Sequence, residues 1–225
     1  MIFNRPELNP VPLTPPTTEP FLGVEIKIAP DGEILMRGDI VFSGYYRNPE
    51  ATKEAIKNGW FHSGDLGSID EDGCLKITGR KKEMIVTAGG KNVAPAVLED
   101  RLRANPIVSQ CVAVGDAKPF VGALVTIDAD ALPGWLKAHG LPEMTVEKAV
   151  QDPVVKAELD KAVERANRAV SRAESIRKYR VLLTDFTVLN GYLTPSLKVK
   201  RSRVLADFAD EIEALYVDER SDAEK

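Results

Sequence analysis

Apolar and polar residues alternate through VEIKI at 24–28 and again through EILMR at 33–37, with Pro30-Asp31-Gly32 between them. Alternation places one apolar face on a strand, and Pro-Asp-Gly is turn chemistry, so the pair predicts a β-hairpin. PEATKEAI at 49–56 opens on a proline suited to the first turn of a short helix. GWFHSGDLGSID at 59–70 reads as turn-rich, and Glu71-Asp72-Gly73 as a further turn. CLKIT at 74–78 and EMIVT at 83–87 are expected strands, joined by Gly79-Arg80-Lys81-Lys82. Residues 21–87 therefore read as largely β.

The period changes after Gly90. Leu98 and Leu102 lie one turn apart in a helix expected over 95–104. IVSQCVAVG at 107–115 and VGALVTID at 121–128 predict strands, and a helix is expected over 129–139. Residues 146–180 read as largely helical, with Val150, Val154, Val163 and Val170 as the apolar stripe and Pro153 as an interruption. VLLTDFTVL at 181–189 is an expected strand, and 203–216 a closing helix. This half predicts a small α/β domain with a short sheet flanked by helices. The fold class is thus α/β (α+β), β-rich first and mixed second. Six prolines within residues 1–20 predict an extended arm ahead of both.

Composition narrows the classes without choosing one. The chain has 225 residues, 44% hydrophobic and 28% charged, with a net charge of -4. That is enough for a core and is ordinary for a soluble globular protein. Cys74 and Cys111 fall in expected strands and read as buried thiols rather than a disulfide. His62 and His139 lack metal-site spacing, so no metal site is expected. No apolar run reaches membrane-spanning length, and the N-terminus does not read as a signal peptide. A cytoplasmic protein is the expectation; peripheral membrane contact is left open.

Lys198, Lys200 and Arg201 crowd three positive charges into PSLKVKR at 195–201. Alone, such a cluster reads as a solvated surface. Nucleic-acid binding is not expected, because no aromatics interleave the cations and the chain is net acidic. Asp65 in Ser63-Gly64-Asp65 reads alone as a turn residue capping backbone amides, and Arg80 as a charge at a hairpin tip. Lys82 reads as an ordinary exposed lysine, and Gly89-Gly90 as a tight turn. Trp60 and Phe61 read as core. The mixed charges over 156–178 read as a solvated helix face.

Four stretches taken together change the picture: GEILMRGDIVFSGYYRNPEAT at 32–52, GWFHSGDLGSIDEDG at 59–73, GRKKEMIVTAGGKNVAP at 79–95 and LTPSLKVKR at 193–201. In this order and spacing they resemble the adenylate-forming superfamily of acyl-CoA synthetases, luciferases and adenylation domains. The wording of the last two is most similar to the long-chain fatty acyl-CoA synthetases. The resemblance implies a two-step reaction in which a fatty acid and ATP give acyl-AMP and pyrophosphate, and coenzyme A then displaces AMP. It implies that Lys198 is the catalytic lysine, that Asp65 and Arg80 hold the ribose, that Lys82 is the hinge, and that Gly89 and Gly90 line the pantetheine channel. A lysine suits the first step, because a carboxylate approaching a polyanion needs a positioned cation. A carboxylate suits a vicinal diol, having two acceptor oxygens.

The same resemblance implies a Ser/Thr/Gly-rich phosphate loop ending in Pro-Lys-Gly and a Tyr-Gly-x-Thr-Glu stretch for adenine and magnesium. Neither occurs in this sequence. ATP and Mg2+ are accordingly expected to be held mostly by a missing N-terminal part. The implied organisation is a proline-rich arm over 1–20, a β-rich end of the large domain over 21–81, resembling its β-barrel subdomain, and a mobile lid over 82–225. The chain alone is expected to be inactive. Two other readings stay open: a non-catalytic, stand-alone lid-like protein that binds adenylate or a partner synthetase, and an acid-thiol ligase for a different acyl substrate.

Overall fold

In a computed structural model, residues 23–217 are described. The proline-rich arm lies outside them. The chain divides into two compact units, the first ending at Glu83 and the second beginning at Met84. Both mix helices and sheets or are built around a sheet, and the fold is α/β in the α+β sense.

In the first unit the expected hairpin forms from β1 (Glu25–Ile28) and β2 (Glu33–Arg37), antiparallel, with Ile28 opposite Ile34. Helix α1 (Pro49–Ala55) starts where Asn48 accepts the Ala51 N–H at 3.1 Å, and it runs directly into β3 (Ile56–Lys57). The turn-rich segment is instead a ten-residue strand, β4 (Trp60–Ile69). It pairs with β2 on one edge, and with β3 and β5 (Leu75–Arg80) on the other. Its glycines suggest turns because glycine is usually punctuation. Here Gly67 serves close packing: a Cβ would come within 2.6 Å of the Lys76 carbonyl oxygen and 2.8 Å of Ile34. Gly67→Ala is therefore expected to lower the melting temperature of the chain by several degrees, since backbone cannot step aside. An unchanged melting curve would contradict that packing.

The segment 79–82 is not a hairpin tip. Gly79 and Arg80 complete β5, and Lys81–Glu83 forms a 3-10 turn that ends the unit. The sheet order is β1-β2-β4-β3 with β5 also on β4, open rather than closed into a barrel. Lys27 and Arg37 lie over the Trp60 ring at 3.9 and 4.7 Å, and Phe61 meets Phe42 edge-on at 5.3 Å. Both aromatics are half-buried structural groups.

The second unit opens with a small hairpin, β6 (Ile85–Val86) and β7 (Asn92–Val93), shorter than the strand expected over 83–87. Helix α2 (Pro95–Arg103) follows. The main sheet has the order β10-β9-β8, with β8 (Val108–Val114) antiparallel and β10 (Ile176–Leu182) parallel to β9 (Val121–Ile127). Every residue of β9 is buried, so the strand reads as a continuous apolar run. Two buried clusters explain this. One joins Leu98 and Leu102 of α2 and Val155 and Leu159 of α5 (Pro153–Asn167) to Ala123 and Val125. The other joins Phe186, Leu193, Val204, Ile212 and Leu215 to Val112, Val114 and Leu124.

The helix expected over 146–180 resolves into α4 (Val146–Ala149), α5 and strand β10; α3 (Leu132–Ala138) precedes them. Asp152 caps α5 through the Val154 N–H at 2.8 Å, and Asn167 ends it. The Asn167 side chain donates to the Ile176 carbonyl at 2.9 Å and accepts the Ile176 N–H at 2.8 Å, turning the chain into β10. Val170 therefore lies beyond the helix, and the mixed charges over 156–178 do not share one helical face. The strand expected over 181–189 ends at Leu182, because Asp185 folds the chain back. Its carboxylate accepts from the Ser109 hydroxyl at 2.8 Å, the Thr126 hydroxyl at 2.5 Å and the Phe186 N–H at 2.8 Å. The closing helix is two short ones, α6 (Arg201–Asp207) and α7 (Ala209–Ala214), broken at Phe208, which packs on Phe186 and Tyr192.

Candidate functional site

In the first unit the two expected ribose residues meet. Asp65 and Arg80 are cross-strand partners of β4 and β5, and Arg80 Nε lies 3.2 Å from Asp65 Oδ1. Asp65 is half-buried and Arg80 exposed. The position of Asp65 is set by a bulge. Glu33 pairs with Leu66 and Leu35 with His62, so β4 spends extra residues on Ser63-Gly64-Asp65. The Ser63 hydroxyl donates to the Ile34 carbonyl at 2.8 Å and accepts the Asp65 N–H at 3.0 Å. The result is a carboxylate beside a guanidinium, with only its Oδ1 paired among the described residues.

Sequence reasoning missed the group behind this bulge. Glu33 is buried, and its carboxylate accepts the Gly64 N–H at 3.0 Å, meets His62 Nδ1 at 2.9 Å and accepts from Lys81 Nζ at 3.0 Å. Lys81 also reaches Asp31 at 2.6 Å. The available signal was alternation: Glu33 shares a strand face with buried Leu35. Burial pushes the Glu33 carboxyl up, but hydrogen bonds from His62, Lys81 and Gly64 outweigh it, and the acid is held below its ordinary range. The Asp31 hydrogen bond, then that to Glu33, hold the Lys81 ammonium above its ordinary range.

These directions give a pH prediction. A lowered carboxyl adds stability that is complete above the ordinary value of about 4.3 and drains as pH falls through the lowered one. Glu33→Gln is expected to melt below the parent chain at neutral pH, with the gap closing below about pH 4. Thermal unfolding of both proteins across that range checks it; a gap independent of pH would contradict it.

In the second unit the basic stretch 195–201 separates into different groups. Leu193 and Val199 form a bridge, and between them the Leu197 N–H donates to the Thr194 carbonyl and the Thr194 N–H to the Lys198 carbonyl, both at 2.8 Å. The Thr194 hydroxyl also accepts the Lys198 N–H at 3.1 Å. Leu197 adopts φ +60°, which tightens the turn. Lys198 is exposed on it, and among the described residues no carboxylate pairs with its ammonium. Arg201 is the opposite case. It is buried enough to be structural, donates to the Ala113 carbonyl at 2.8 Å and pairs with Glu99, which itself accepts the Ala113 N–H at 2.7 Å. Lys200 is exposed and precedes α6.

Gly89 and Gly90 sit in the β6–β7 turn, where the Gly90 N–H donates to the Thr87 carbonyl at 2.8 Å. Gly90 has φ +75°, so the turn itself requires glycine there. Gly89 has open space where a Cβ would go, with only the Thr87 hydroxyl at 4.0 Å. Lys91, next along, pairs with Glu174 at 3.1 Å. Lys82 is exposed at the centre of the 3-10 turn and belongs to the first unit, which ends two residues later than the 81/82 division expected from sequence.

Cys74 and Cys111 are not joined in a disulfide, and both are buried. Burial pushes Cys111 well up and Cys74 up, which keeps them protonated rather than nucleophilic. Among the described residues no group of three or more His, Cys, Asp or Glu side chains is placed to hold a metal ion, and no helix is long and apolar enough to cross a membrane.

The second unit, a three-stranded sheet with a buried cluster of helices and loops on each face, is the part of the chain that defines its class. Residues 82–220 match the family described as the AMP-binding enzyme C-terminal domain, and the chain belongs to that family. It is 59% identical over 199 residues to the long-chain-fatty-acid–CoA ligase FadD15 of Mycobacterium tuberculosis, covering 88% of this chain and 33% of that one. It is 41% identical over 199 residues to the putative fatty-acid–CoA ligase fadD11 of the same species, covering 88% of this chain and 35% of that one. The fold is shared with the A domain of a carboxylic acid reductase from Segniliparus rugosus, solved with AMP and a carboxylic acid, at a TM-score of 0.66 and 24% identity, covering 90% of this chain and 32% of that one. The chain thus spans about a third of the length of the curated relatives it matches.

Proposed function

We propose that the chain is the C-terminal portion of an ATP-dependent, AMP-forming long-chain fatty acid–CoA ligase. The observation that carries this is the state of Lys198: an ammonium with no carboxylate partner among the described residues, on an exposed, hydrogen-bonded turn, while Arg201, three residues along, is tied down. A cation kept free of internal partners is available to an external anion. Similarity to FadD15 supplies the substrate class.

In the first half-reaction a fatty carboxylate oxygen attacks the α-phosphorus of ATP, the bond to pyrophosphate breaks, and acyl-AMP forms. Lys198 supplies positive charge to the oxygens that gain negative charge as the two anions meet. Asp65 accepts hydrogen bonds from the ribose hydroxyls, and Arg80 both orients that carboxylate and faces the same sugar. In the second half-reaction the coenzyme A thiolate attacks the acyl carbon and AMP leaves. Gly89, with open space at its Cβ position, leaves room for the pantetheine arm, and backbone rotation at Lys82 exchanges the faces that serve the two steps. Mg2+ enters with ATP, and among the described residues no group of three or more His, Cys, Asp or Glu side chains is placed to hold it.

The test uses the full-length ligase with palmitate, ATP, Mg2+ and coenzyme A, following thioester and AMP. Turnover with palmitate well above that with aryl and medium-chain acids is expected; the reverse order would overturn the substrate assignment. The 225-residue chain, whose sequence lacks the phosphate loop, is expected to release no pyrophosphate above background with palmitate and ATP. Release at the rate of the full-length ligase would contradict the assignment of phosphate binding to other residues.

A further inference from the structure

The reaction as proposed leaves one buried, ionised group of the first unit without a role. Glu33 is only 4% exposed, and no substrate atom is assigned to it. Burying a carboxylate is unfavourable unless it is fully paired, and an apolar replacement is often as stable. Stability alone therefore does not explain a glutamate at this position, whereas the groups it joins do.

Its two oxygens face different segments. Oε1 accepts the N–H of Gly64, the residue before Asp65. Oε2 lies 3.0 Å from the ammonium of Lys81, the residue before Lys82, and 2.9 Å from His62 Nδ1. Lys81 is held again by Asp31 at 2.6 Å, in the turn that joins β1 to β2. One side chain thus connects the bulge of β4, the hairpin turn and the 3-10 segment at the end of the unit.

We propose that Glu33 is a positioning residue that fastens the bulge carrying Asp65 to the 3-10 segment carrying Lys82, through Gly64 on one side and Lys81 on the other. The nucleotide-contacting turn and the foot of the pivot then move as one body, and rotation begins only after Lys81. The proposal rests on the roles assigned above to Asp65 and Lys82. It extends them by naming what holds the two in register.

The test exploits the asymmetry of the carboxylate. Glu33→Gln keeps an acceptor for the Gly64 N–H but turns an amide NH2 toward the Lys81 ammonium, donor against donor, while His62 Nδ1 can change tautomer and accept. Lys81→Met removes the same arm from its other end, at a side chain that is half exposed and lies outside the sheet pairing of β2 and β4. Amide hydrogen exchange is read at Gly64 in the 225-residue chain. Lys81→Met is expected to speed that exchange by about tenfold, although Lys81 does not touch Gly64, and the double variant to be no faster than Glu33→Gln alone. Unchanged Gly64 exchange in Lys81→Met, or effects that multiply in the double variant, would overturn the coupling. Should Glu33→Gln fail to fold, Lys81→Met decides the question alone.

A second arm uses ATP–pyrophosphate exchange by the full-length ligase. Lys81→Met is expected to raise KM for ATP by about fivefold with kcat within about twofold, the signature of a misplaced binding group rather than a damaged fold. Equal losses in both parameters, or an unchanged KM, would overturn it. Asp65→Asn run in parallel separates the two layers: if it leaves KM for ATP unchanged, the ribose assignment of Asp65 is wrong, while Gly64 exchange still decides whether Glu33 couples the segments.

Discussion

Lys198→Ala in the full-length ligase is expected to lower acyl-adenylate formation by about two to three orders of magnitude, the scale of losing one preorganised charge-stabilising group. Thioester formation from supplied acyl-adenylate should stay within a few fold, because in the proposed reaction the cation is needed only where carboxylate meets triphosphate. The melting temperature does not move, since the ammonium is exposed and no carboxylate among the described residues depends on it. Lys198→Arg restores little: a planar guanidinium is not a compact charge on the same reach. Pyrophosphate exchange, thioester formation and thermal unfolding of the same preparations check all four statements. A parallel fall in both half-reactions would remove Lys198 from its role.

Arg201→Met, three residues along, has the opposite signature. It strands the Glu99 carboxylate, 13% exposed, beside β8 without its cation. Breaking a buried pair from one side costs about 3–5 kcal/mol; the partial exposure of this one brings the expectation to about 2 kcal/mol. Urea unfolding of the 225-residue chain reads it as a lower midpoint with an unchanged slope. Because Glu99 also accepts the Ala113 N–H, Glu99→Gln combined with Arg201→Met should cost less than the two singles added. Simple additivity, or a midpoint equal to that of the parent, would contradict the structural role. The two variants together would show why clustered cations are not one feature: among the described residues position 198 has no carboxylate partner, and position 201 is bound to Glu99.

That distinction was not legible in PSLKVKR. Composition and spacing mark a basic cluster, whereas the partner of Arg201 lies on α2, far back in the sequence. Local patterns fared well where local physics decides. The hairpin of β1 and β2 follows from alternation and Pro-Asp-Gly, and β8 and β9 from their largely apolar runs. They fared badly where a partner strand decides. Gly64 and Gly67 make β4 look like turns, yet pairing on both edges holds it as a strand and uses those glycines for a bulge and a close approach. Likewise IRKYRVL carries enough charge to pass for a continued helix, until Asn167 closes α5 and β9 recruits the segment in parallel. The candidate site divides the same way. Asp65 and Arg80 were singled out from their motifs, and their register as cross-strand partners needed the sheet. Glu33 was signalled only by its strand face, and its link to Lys81 and Asp31 emerged from contacts spanning distant parts of the sequence.

The most direct measurement of the proposed chemistry restores the charge without the lysine. Lys198→Cys in the full-length ligase is assayed for single-turnover acyl-adenylate formation before and after aminoethylation of the thiol, with the parent enzyme treated alike. The unmodified variant should be slow, and modification, which rebuilds an ammonium at nearly the same reach, should return the rate to within about tenfold of the parent. A modified variant as slow as the unmodified one, with nucleotide still bound and the fold intact, would show that adenylation does not depend on a positive charge at this turn.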